Sequence, residues 1–335
     1  MGVGGVPEKL WSATTRAELI EAALAMWAEA DEWLILGGGS NLVFADEIPH
    51  LQVLQVATKG VESENQGHRV RLLVEAGEQW DDLVAGTVAA GISGLEALSG
   101  IPGTVGASPI QNIGAYGAEV ASSIAAVEFL DYKSGEVSWL KSEELGFAYR
   151  DSVFKRGRLG VVLRVEFSLT HNDGLSQPIA FEQLAGALGV QLGEKVPVSR
   201  VREEVLRLRA SKGMVLDAGD RDTAGCGSFF TNPIVSARFA RTLPAEAPKF
   251  ETVEDDGETV KLSAAWLIEH AGVKRGFRLP GSNAAISSKH SLAITNRGGA
   301  TALEVAQLAE YVQLRVANQF GVNLVPEPVM VGFED

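Results

Sequence analysis

Two glycine-dense segments constrain this chain more than any other feature of its sequence. The first, Gly37–Asn41, follows the strand-like run Trp33–Leu36, and the second extends from Ser99 to Gly117. Glycine is typical of tight turns, and it also lets backbone N–H groups approach an anion without a side chain in the way. Each segment alone is explained most simply by tight turns. Together the two segments favour loops that hold a diphosphate group from two sides.

Neither segment matches the two best-known phosphate-binding motifs. The dinucleotide fingerprint G-x-G-x-x-G is absent from both, and the chain has no G-x-x-x-x-G-K-[ST] sequence. A Rossmann-type cofactor domain and a P-loop nucleotide site are therefore disfavoured.

Strand-like and helical patterns alternate along the chain and predict the α+β class. The sequence Lys133–Glu136 lies between two strand-like runs and is a hairpin turn signal. Apolar residues at helical spacing predict helices around Thr15–Ala28 and Trp80–Ala90. A long helix is predicted over Thr301–Phe320, with Gly321 as its C-terminal cap. The predicted strands are Trp33–Leu36, Leu51–Ala57, Val70–Glu75, Val127–Tyr132, Val137–Leu140, Val161–Leu169 and Leu292–Asn296.

The length of 335 residues predicts at least two domains, because single hydrophobic cores stop growing near ~250–300 residues. A stretch with little pattern, 174–195, precedes a helix whose apolar stripe includes Val198, Val201 and Val205. We therefore predict an N-terminal domain over 1–172, a junction with a connecting helix over 173–212, and a C-terminal domain over 213–335.

Composition disfavours several classes of function. The 29 basic and 43 acidic residues give a net charge of −14, which disfavours nucleic acid and anionic membranes as partners. No apolar run approaches the ~20 residues of a membrane-spanning helix, and the first residues lack a secretory pattern, so a cytoplasmic protein is expected. The one cysteine, Cys226, and five scattered histidines indicate neither a disulfide nor a metal site. Redox chemistry would have to come from a cofactor.

Three further motifs complete a resemblance to a known enzyme family. They are Tyr149–Lys155 (YRDSVFK), Gly227–Pro233 (GSFFTNP) and Pro326–Val329 (PEPV). These motifs resemble the active-site motifs of UDP-N-acetylenolpyruvoylglucosamine reductase. The two glycine segments resemble the FAD diphosphate loops of the vanillyl-alcohol-oxidase type of flavin-binding domain. The order and spacing of these regions match the family over nearly the whole chain.

The resemblance implies a fold, an activity and two cofactors. The fold is α+β, with a two-part FAD-binding domain over 1–172 and a C-terminal substrate-binding domain whose tail returns to the flavin site. The activity is the reduction of UDP-N-acetylglucosamine enolpyruvate to UDP-N-acetylmuramate by NADPH through FAD, a step of peptidoglycan precursor synthesis. A cytoplasmic monomer that binds the UDP-sugar and NADPH is expected.

The resemblance also assigns roles to individual residues. Catalysis is assigned to Arg150, Ser228 and Glu327. Contacts with the substrate or the nicotinamide are implied for Tyr149, Lys212, Asn232, Lys274 and Asn296. Contacts with FAD are implied for Gly37, Gly38, Gly39, Ser40, Asn41, Gly100, Pro102, Gly103, Gly106, Ala107, Asn112, Gly114, Ala115, Tyr116 and Gly117.

The residue types at the three catalytic positions suit a conjugate reduction. Hydride addition to the enolpyruvyl group moves electron density onto its carboxylate, and Arg150 can meet both oxygens with parallel hydrogen bonds while it stays charged. A hydroxyl held beside the resulting enolate carbon can supply a proton, which makes Ser228 the candidate donor. Glu327 can act as a protonated acid or as an orienting carboxylate, depending on how burial and Arg150 set its pKa.

Three smaller expectations concern other parts of the chain. Phe181 stands where one branch of the family has a tyrosine over the substrate, so it can close the site without donating a hydrogen bond. The first strand of the family's fold is expected to be short or missing, which would weaken FAD binding. A basic patch, which either clamps a diphosphate or faces solvent, is predicted from Lys274, Arg275, Arg278, Lys289 and His290.

Two other functions fit part of this pattern. One is an oxidase for a sugar or alcohol on the same flavin fold, although many such oxidases tether the flavin through a histidine and none lies in 99–117. The other is a non-catalytic protein that binds a nucleotide sugar. A colourless purified protein that does not take up FAD would favour the second.

Overall fold

The computed structural model describes residues 1–251 and 258–333, and the chain divides into two compact units. The larger unit contains 7–40 and 49–210, and the smaller unit contains 1–6, 41–48 and 211–335. The predicted domain bounds at 172 and 212 stay a prediction, because they divide the chain by flavin binding and substrate binding, whereas the two units are defined by compactness alone.

The elements of both units are numbered along the chain. The helices are α1 (Arg16–Glu29), α2 (Trp80–Ala89), α3 (Glu182–Leu188), α4 (Val198–Ser211), α5 (Ala237–Ala240), α6 (Ala264–His270) and α7 (Ala302–Phe320). The strands are β1 (Lys9–Ala13), β2 (Trp33–Leu36), β3 (Leu42–Phe44), β4 (Gln52–Val56), β5 (Val61–Gln66), β6 (Arg69–Glu75), β7 (Ile92–Ser93), β8 (Gly114–Ala115), β9 (Ala118–Glu119), β10 (Ile124–Asp131), β11 (Val137–Lys141), β12 (Gly160–His171), β13 (Ile234–Ser236), β14 (Lys249–Glu251), β15 (Thr259–Leu262), β16 (Ala284–Ile286), β17 (Ile294–Asn296) and β18 (Val329–Val331).

The larger unit contains an antiparallel sheet, a small parallel sheet and the β8–β9 hairpin. The antiparallel sheet has the strand order β11-β10-β12-β6-β5, with β7 paired to β12, and the parallel sheet has the order β1-β4-β2. Alternation along β12 places Val165, Phe167 and Leu169 in the core, where each is at most 1% exposed. Burial of a large apolar side chain contributes roughly 1.5–3 kcal/mol, so this row fixes the register of the sheet.

A second, smaller core in the same unit surrounds the connecting helix α4. Val201 and Val205 of α4 pack with Leu184 and Leu188 of α3. The helix is also tied to the glycine segments through Asp81, which accepts two hydrogen bonds from Arg202 and one from the Gly100 N–H. Burial would raise the pKa of Asp81, but these hydrogen bonds outweigh it and lower that pKa.

The smaller unit surrounds α6 and α7. The buried face of α7 includes Val305, Leu308, Val312 and Val316, each 0% exposed. The unit also has the three-stranded sheet β13-β15-β14, the β16–β17 hairpin, and a parallel pairing of β18 with β3. The last pairing joins the C-terminal segment to the residues that directly follow GGGS in sequence.

Most of the predicted elements are confirmed. The strand predicted at Trp33–Leu36 has those bounds, and α7 ends at Gly321 in the left-handed conformation predicted for its cap. The first strand of the described chain is β1, which pairs in parallel with β4 over Lys9–Ala13. The expected shortening or loss of the family's first strand, and its effect on FAD binding, stay predictions. Among the described residues, no helix is long and apolar enough to cross a membrane.

Candidate active site

The two glycine segments meet in the larger unit by direct backbone contact. A Cβ on Gly38 would lie 2.8 Å from the Gly103 Cα, and a Cβ on Gly103 would lie 2.8 Å from the Ser40 Oγ. A Cβ on Gly37 would lie 2.6 Å from the Thr104 Oγ1. The Ser40 hydroxyl donates to the Pro102 carbonyl at 3.2 Å. Glycine is therefore required here first by the packing of one loop against the other.

The first glycine segment also presents backbone groups that suit an anion. Within the described residues, the N–H groups of Gly38, Gly39 and Ser40 donate no hydrogen bond. Gly39 has φ +66°, a left-handed conformation that turns successive N–H groups outward. Unsatisfied N–H groups at a glycine turn are what a diphosphate requires, so these residues fit the diphosphate of FAD.

The second glycine segment is held in place from several sides. The Gly106 N–H donates to the Ala76 carbonyl at 2.8 Å, and a Cβ on Gly106 would lie 2.5 Å from the Ala76 Cβ. Asn112 is fully buried; its side chain donates to Glu119 and the Ala148 carbonyl and accepts from the Ala121 N–H. The remaining predicted flavin contacts in this segment, Ala107, Gly114, Ala115, Tyr116 and Gly117, lie on the turn around Val105 or on the β8–β9 hairpin.

Arg150 lies on a tight turn beside this second segment. Ala148 and Asp151 exchange two backbone hydrogen bonds, which leaves Tyr149 and Arg150 as the turn residues. The guanidinium donates to the Gly114 carbonyl at 2.7 Å and to the Asn112 carbonyl at 3.4 Å, and it lies 5.5 Å from the Tyr149 ring centre. These contacts fix the guanidinium beside residues predicted to contact FAD.

Backbone strain is concentrated in the same region. Asn112, Tyr116 and Arg150 have φ values of 47°, 50° and 54°, and Asp173 is the one other non-glycine residue with positive φ among those described. Left-handed conformations cost about 1–3 kcal/mol for side chains of this kind, and they cluster at functional sites. The clustering supports a site at the second glycine segment and the Tyr149–Arg150 turn.

Sequence reasoning missed one buried cation next to this region. Arg209 of α4 is 9% exposed, and burial lowers its pKa, while Tyr116 and Asp81 act in the opposite direction and Arg150 adds to the lowering. A Cβ on Gly100 would lie 3.3 Å from the Arg209 Nε. No sequence signal marked Arg209, because an arginine at the end of an amphipathic helix ordinarily faces solvent.

Ser228 lies in the smaller unit on an extended segment held from both sides. On one side, the Phe229 N–H donates to the Leu292 carbonyl at 2.7 Å, and Gly225 bridges to Thr295. Phe229 and Phe230, at most 1% exposed, anchor the segment in the core. The Ser228 hydroxyl is partly exposed and has no hydrogen-bond partner among residues 1–251 and 258–333.

Glu327 lies on the other side of the same segment. Its N–H donates to the Phe229 carbonyl at 2.9 Å, and Pro326 bridges to Phe230. The structure therefore brings together the second and third active-site motifs, which are far apart in sequence. Arg150 belongs to the larger unit, so the predicted meeting of all three residues at one flavin stays a prediction.

Two predicted substrate contacts have structural roles within the smaller unit. The Asn232 Oδ1 accepts from the Ala264 N–H at 3.0 Å, at the start of α6. Asn296 is 8% exposed; its Oδ1 accepts from Gly298 and Ala300, and its Nδ2 donates to the carbonyls of residues 1 and 2. Their predicted contacts with substrate stay predictions.

The predicted basic patch carries less free positive charge than its sequence suggests. Lys289 pairs with Asp220 at 2.5 Å, and Arg275 pairs with Glu269 at 3.4 Å. Burial, with smaller contributions from Lys212 and Arg275, lowers the pKa of His290 to about 4, so this side chain is neutral at pH 7. Lys274 and Arg278 are exposed and have no ion pair within the described part of the chain.

Two further side chains, Cys226 and Phe181, lie in contrasting environments. Cys226 is buried and its Sγ lies 3.6 Å from the Leu42 carbonyl, and burial raises the pKa of its thiol. This environment suits an apolar spacer rather than a reactive thiol. Phe181 is 41% exposed and meets Tyr116 edge-to-face, with ring centres 6.0 Å apart. No group of acidic, histidine or cysteine side chains suited to a metal occurs among the described residues.

Comparison with known proteins identifies the family. Residues 7–141 match the model of an FAD binding domain, and residues 220–331 match the C-terminal domain of UDP-N-acetylenolpyruvoylglucosamine reductase. The reductase of Leifsonia xyli subsp. xyli is 52% identical over 364 aligned positions, covering 99% of this chain and 96% of the relative. The reductase of Nocardia farcinica is 48% identical and covers 98% of this chain and 86% of the relative.

A solved structure agrees with these relatives. The crystal structure of UDP-N-acetylenolpyruvylglucosamine reductase (MurB) from Thermus caldophilus matches with a TM-score of 0.64 and 28% identity. It covers 98% of this chain and 94% of that chain. The predicted fold class, an FAD-binding domain of vanillyl-alcohol-oxidase type with a C-terminal α+β domain, is confirmed. The chain belongs to the UDP-N-acetylenolpyruvoylglucosamine reductase family.

Proposed function

We propose that this chain is an FAD-dependent oxidoreductase that uses NADPH to reduce UDP-N-acetylglucosamine enolpyruvate to UDP-N-acetylmuramate for peptidoglycan synthesis. The observation that carries the proposal is the hydrogen bond from the Glu327 N–H to the Phe229 carbonyl at 2.9 Å. This bond supports the proposal because it joins the two motifs that would carry the proton-transfer step. The full-length relatives named for this activity support the same substrate.

The residues that would hold FAD are those of the two glycine segments. The N–H groups of Gly38, Gly39 and Ser40 would bind its diphosphate, with the second segment packed against them. The chemistry that FAD would supply when bound is the transfer of hydride from NADPH to the methylene carbon of the enolpyruvyl group. The protein supplies binding, orientation and the proton.

Arg150 is proposed to stabilise the negative charge that develops on the substrate carboxylate. Its guanidinium is oriented by the Gly114 and Asn112 carbonyls, so little side-chain freedom remains to be lost in the transition state. The planar guanidinium can meet both carboxylate oxygens with parallel hydrogen bonds.

Ser228 is proposed to donate the proton to the carbon beside the carboxylate. Its hydroxyl lies on a segment that two buried phenylalanines anchor and that the Phe229 N–H ties to the Leu292 carbonyl, and it has no competing partner among the described residues. Glu327, held alongside by its backbone, would orient the donor or exchange the proton with it. Tyr149, Lys212, Asn232, Lys274 and Asn296 are proposed to contact the substrate or nicotinamide.

The setting of the enzyme is also a proposal. A cytoplasmic monomer that acts on small phosphorylated molecules, and not on nucleic acid or membranes, agrees with the net charge of −14. Parallel assays with NADPH and NADH measure how strongly the enzyme discriminates between the two nucleotides.

The experiment is an absorbance spectrum of the purified protein followed by NADPH oxidation with and without the UDP-enolpyruvyl sugar. A yellow protein whose NADPH oxidation depends on the sugar is the expected result. NADPH oxidation that ignores the sugar would point to another acceptor, such as oxygen in an oxidase. A colourless protein that does not take up added FAD would favour a non-catalytic role.

A further inference from the structure

The side chain of Asn41 holds the backbone of Glu327. The Asn41 Nδ2 donates to the Glu327 carbonyl at 3.1 Å, and the Asn41 carbonyl accepts from the Val329 N–H at 3.0 Å. Asn41 therefore contacts the tail on both sides of Pro328. All of these residues belong to the smaller unit.

These contacts complete the backbone hydrogen bonding of Glu327. Its N–H donates to the Phe229 carbonyl, and its carbonyl accepts from Asn41, so both ends of the residue are held. The flanking prolines restrict the remaining backbone rotation. With the backbone fixed, the carboxyl group can be directed only through the side-chain torsions of Glu327.

We infer that Asn41 is a positioning residue for Glu327. Sequence resemblance assigned Asn41 to FAD, as the last residue of GGGSN, and in the structure Asn41 also forms two hydrogen bonds with the tail. Loss of the Nδ2 donor would release the Glu327 carbonyl and let the carboxyl group shift relative to Ser228. This inference rests on the proposed function, because it concerns the proton-transfer step of that reaction.

The decisive variant is Asn41→Asp, which keeps the size of the side chain but replaces the donor with an acceptor that repels the Glu327 carbonyl. Flavin reduction by NADPH and its reoxidation by the UDP-enolpyruvyl sugar are measured separately by stopped-flow absorbance. Reoxidation should slow about 10- to 100-fold, since a displacement of about 1 Å at a catalytic group has effects of that size. Reduction by NADPH, FAD content and thermal stability should change little.

Gln313→Glu is the matched control. The Gln313 Nε2 donates to the Leu324 carbonyl at 2.8 Å, so this residue holds the same tail by the same kind of bond, three positions before Glu327. If the reaction depends on the position of Glu327 and not on general tethering of the tail, loss of the Gln313 bond should change the reoxidation rate less than about twofold. Equal slowing in both variants would overturn the inference.

A double variant separates positioning from flavin contact. If Asn41 acts through Glu327, adding Asn41→Asp to Glu327→Gln should slow reoxidation little beyond Glu327→Gln alone. Multiplied effects, or a loss confined to FAD affinity, would show that Asn41 serves the flavin instead. Asn41→Ser, which retains a shorter donor, serves if the aspartate variant does not fold, and it should show the same pattern.

Reoxidation of the wild-type flavin by the sugar shows whether a negative result contradicts the proposed function or only the role of Asn41. If its reduced flavin is not reoxidised by the sugar, the proposed function fails and the role of Asn41 fails with it. If the wild type turns over and Asn41→Asp reoxidises at the same rate, only the positioning role is wrong.

Discussion

The glycine segments of the larger unit and the Ser228 segment of the smaller unit are built in opposite ways. The first region depends on the absence of side chains, since Gly37, Gly38 and Gly103 lie too close to neighbouring atoms to carry a Cβ. The second depends on large buried side chains, Phe229 and Phe230, that anchor the segment carrying the partly exposed Ser228. A change in the first region should therefore disturb structure and flavin binding together. In the second region, chemistry can be removed while the structure remains.

The largest expected effect tests the second half of this contrast. Ser228→Ala should slow flavin reoxidation by the UDP-enolpyruvyl sugar about 10²- to 10⁴-fold, the usual contribution of a general acid. Stability should change little, because the Ser228 hydroxyl has no partner among the described residues. Stopped-flow absorbance measures reoxidation and NADPH-driven reduction separately.

Cys226→Ala is the control for this variant, two residues away in the same segment. Its thiol is buried with a raised pKa, and both half-reactions should proceed at the wild-type rate. If Ser228→Ala slowed reduction by NADPH as much as reoxidation, the serine would be serving flavin placement rather than proton transfer.

The next largest effect tests the glycine region. In Gly38→Ala the new Cβ would lie 2.8 Å from the Gly103 Cα, and a backbone atom cannot move aside as a flexible side chain can. We expect a loss of about 1–3 kcal/mol in the unfolding free energy of the larger unit and a weaker hold on FAD. Urea denaturation followed by flavin fluorescence measures both. Full FAD occupancy with unchanged stability would show that the two loops can separate without cost.

The same contrast explains what could be predicted from the sequence. Glycine segments and amphipathic helices carry local signals, so GGGSN and α7 with its Gly321 cap were recognised. Strand β5, VESENQ, is exposed along its length and carries no apolar alternation, so it was missed. It forms because β6 offers hydrogen bonds at the edge of the sheet.

Most of the contacts at the site that the sequence did not predict are hydrogen bonds between segments that are distant in sequence. The bond between Glu327 and Phe229 joins two segments that are far apart in the sequence, and the bond between Asn41 and Glu327 joins opposite ends of the chain. The same limit applies to charge, because nothing local predicts that His290 is buried or that Asp220 neutralises Lys289. The family motifs located the residues, but not the contacts that hold them.

A pH experiment sharpens the comparison between the units. The pKa of His290 is lowered to about 4 in the folded smaller unit by burial, then by Lys212 and Arg275, against the opposing Glu269. A depressed folded pKa gives stability that is full above the unfolded value of about 6.5 and is lost as pH falls toward 4. Lowering the pH from 7 to 5 should therefore cost about 2 kcal/mol.

Hydrogen exchange of the α6 and α7 amides would locate this loss in the smaller unit. His290→Gln, which cannot become charged in this range, should remove most of the pH dependence between 7 and 5. An unchanged dependence in the variant would assign the effect to other groups.

The smallest expected effect is an increase in stability, at a glycine outside the two glycine segments. Gly86 lies on the exposed side of α2, and a Cβ built there meets nothing within 4 Å. Alanine is preferred over glycine inside a helix by roughly 0.5–1 kcal/mol, so Gly86→Ala should stabilise the larger unit by about that amount. FAD affinity should not change, and urea denaturation beside Gly38→Ala measures both variants. If Gly86→Ala also weakened FAD binding, FAD binding would be sensitive to glycine replacement throughout the larger unit. The glycines of the two segments would then have no special role.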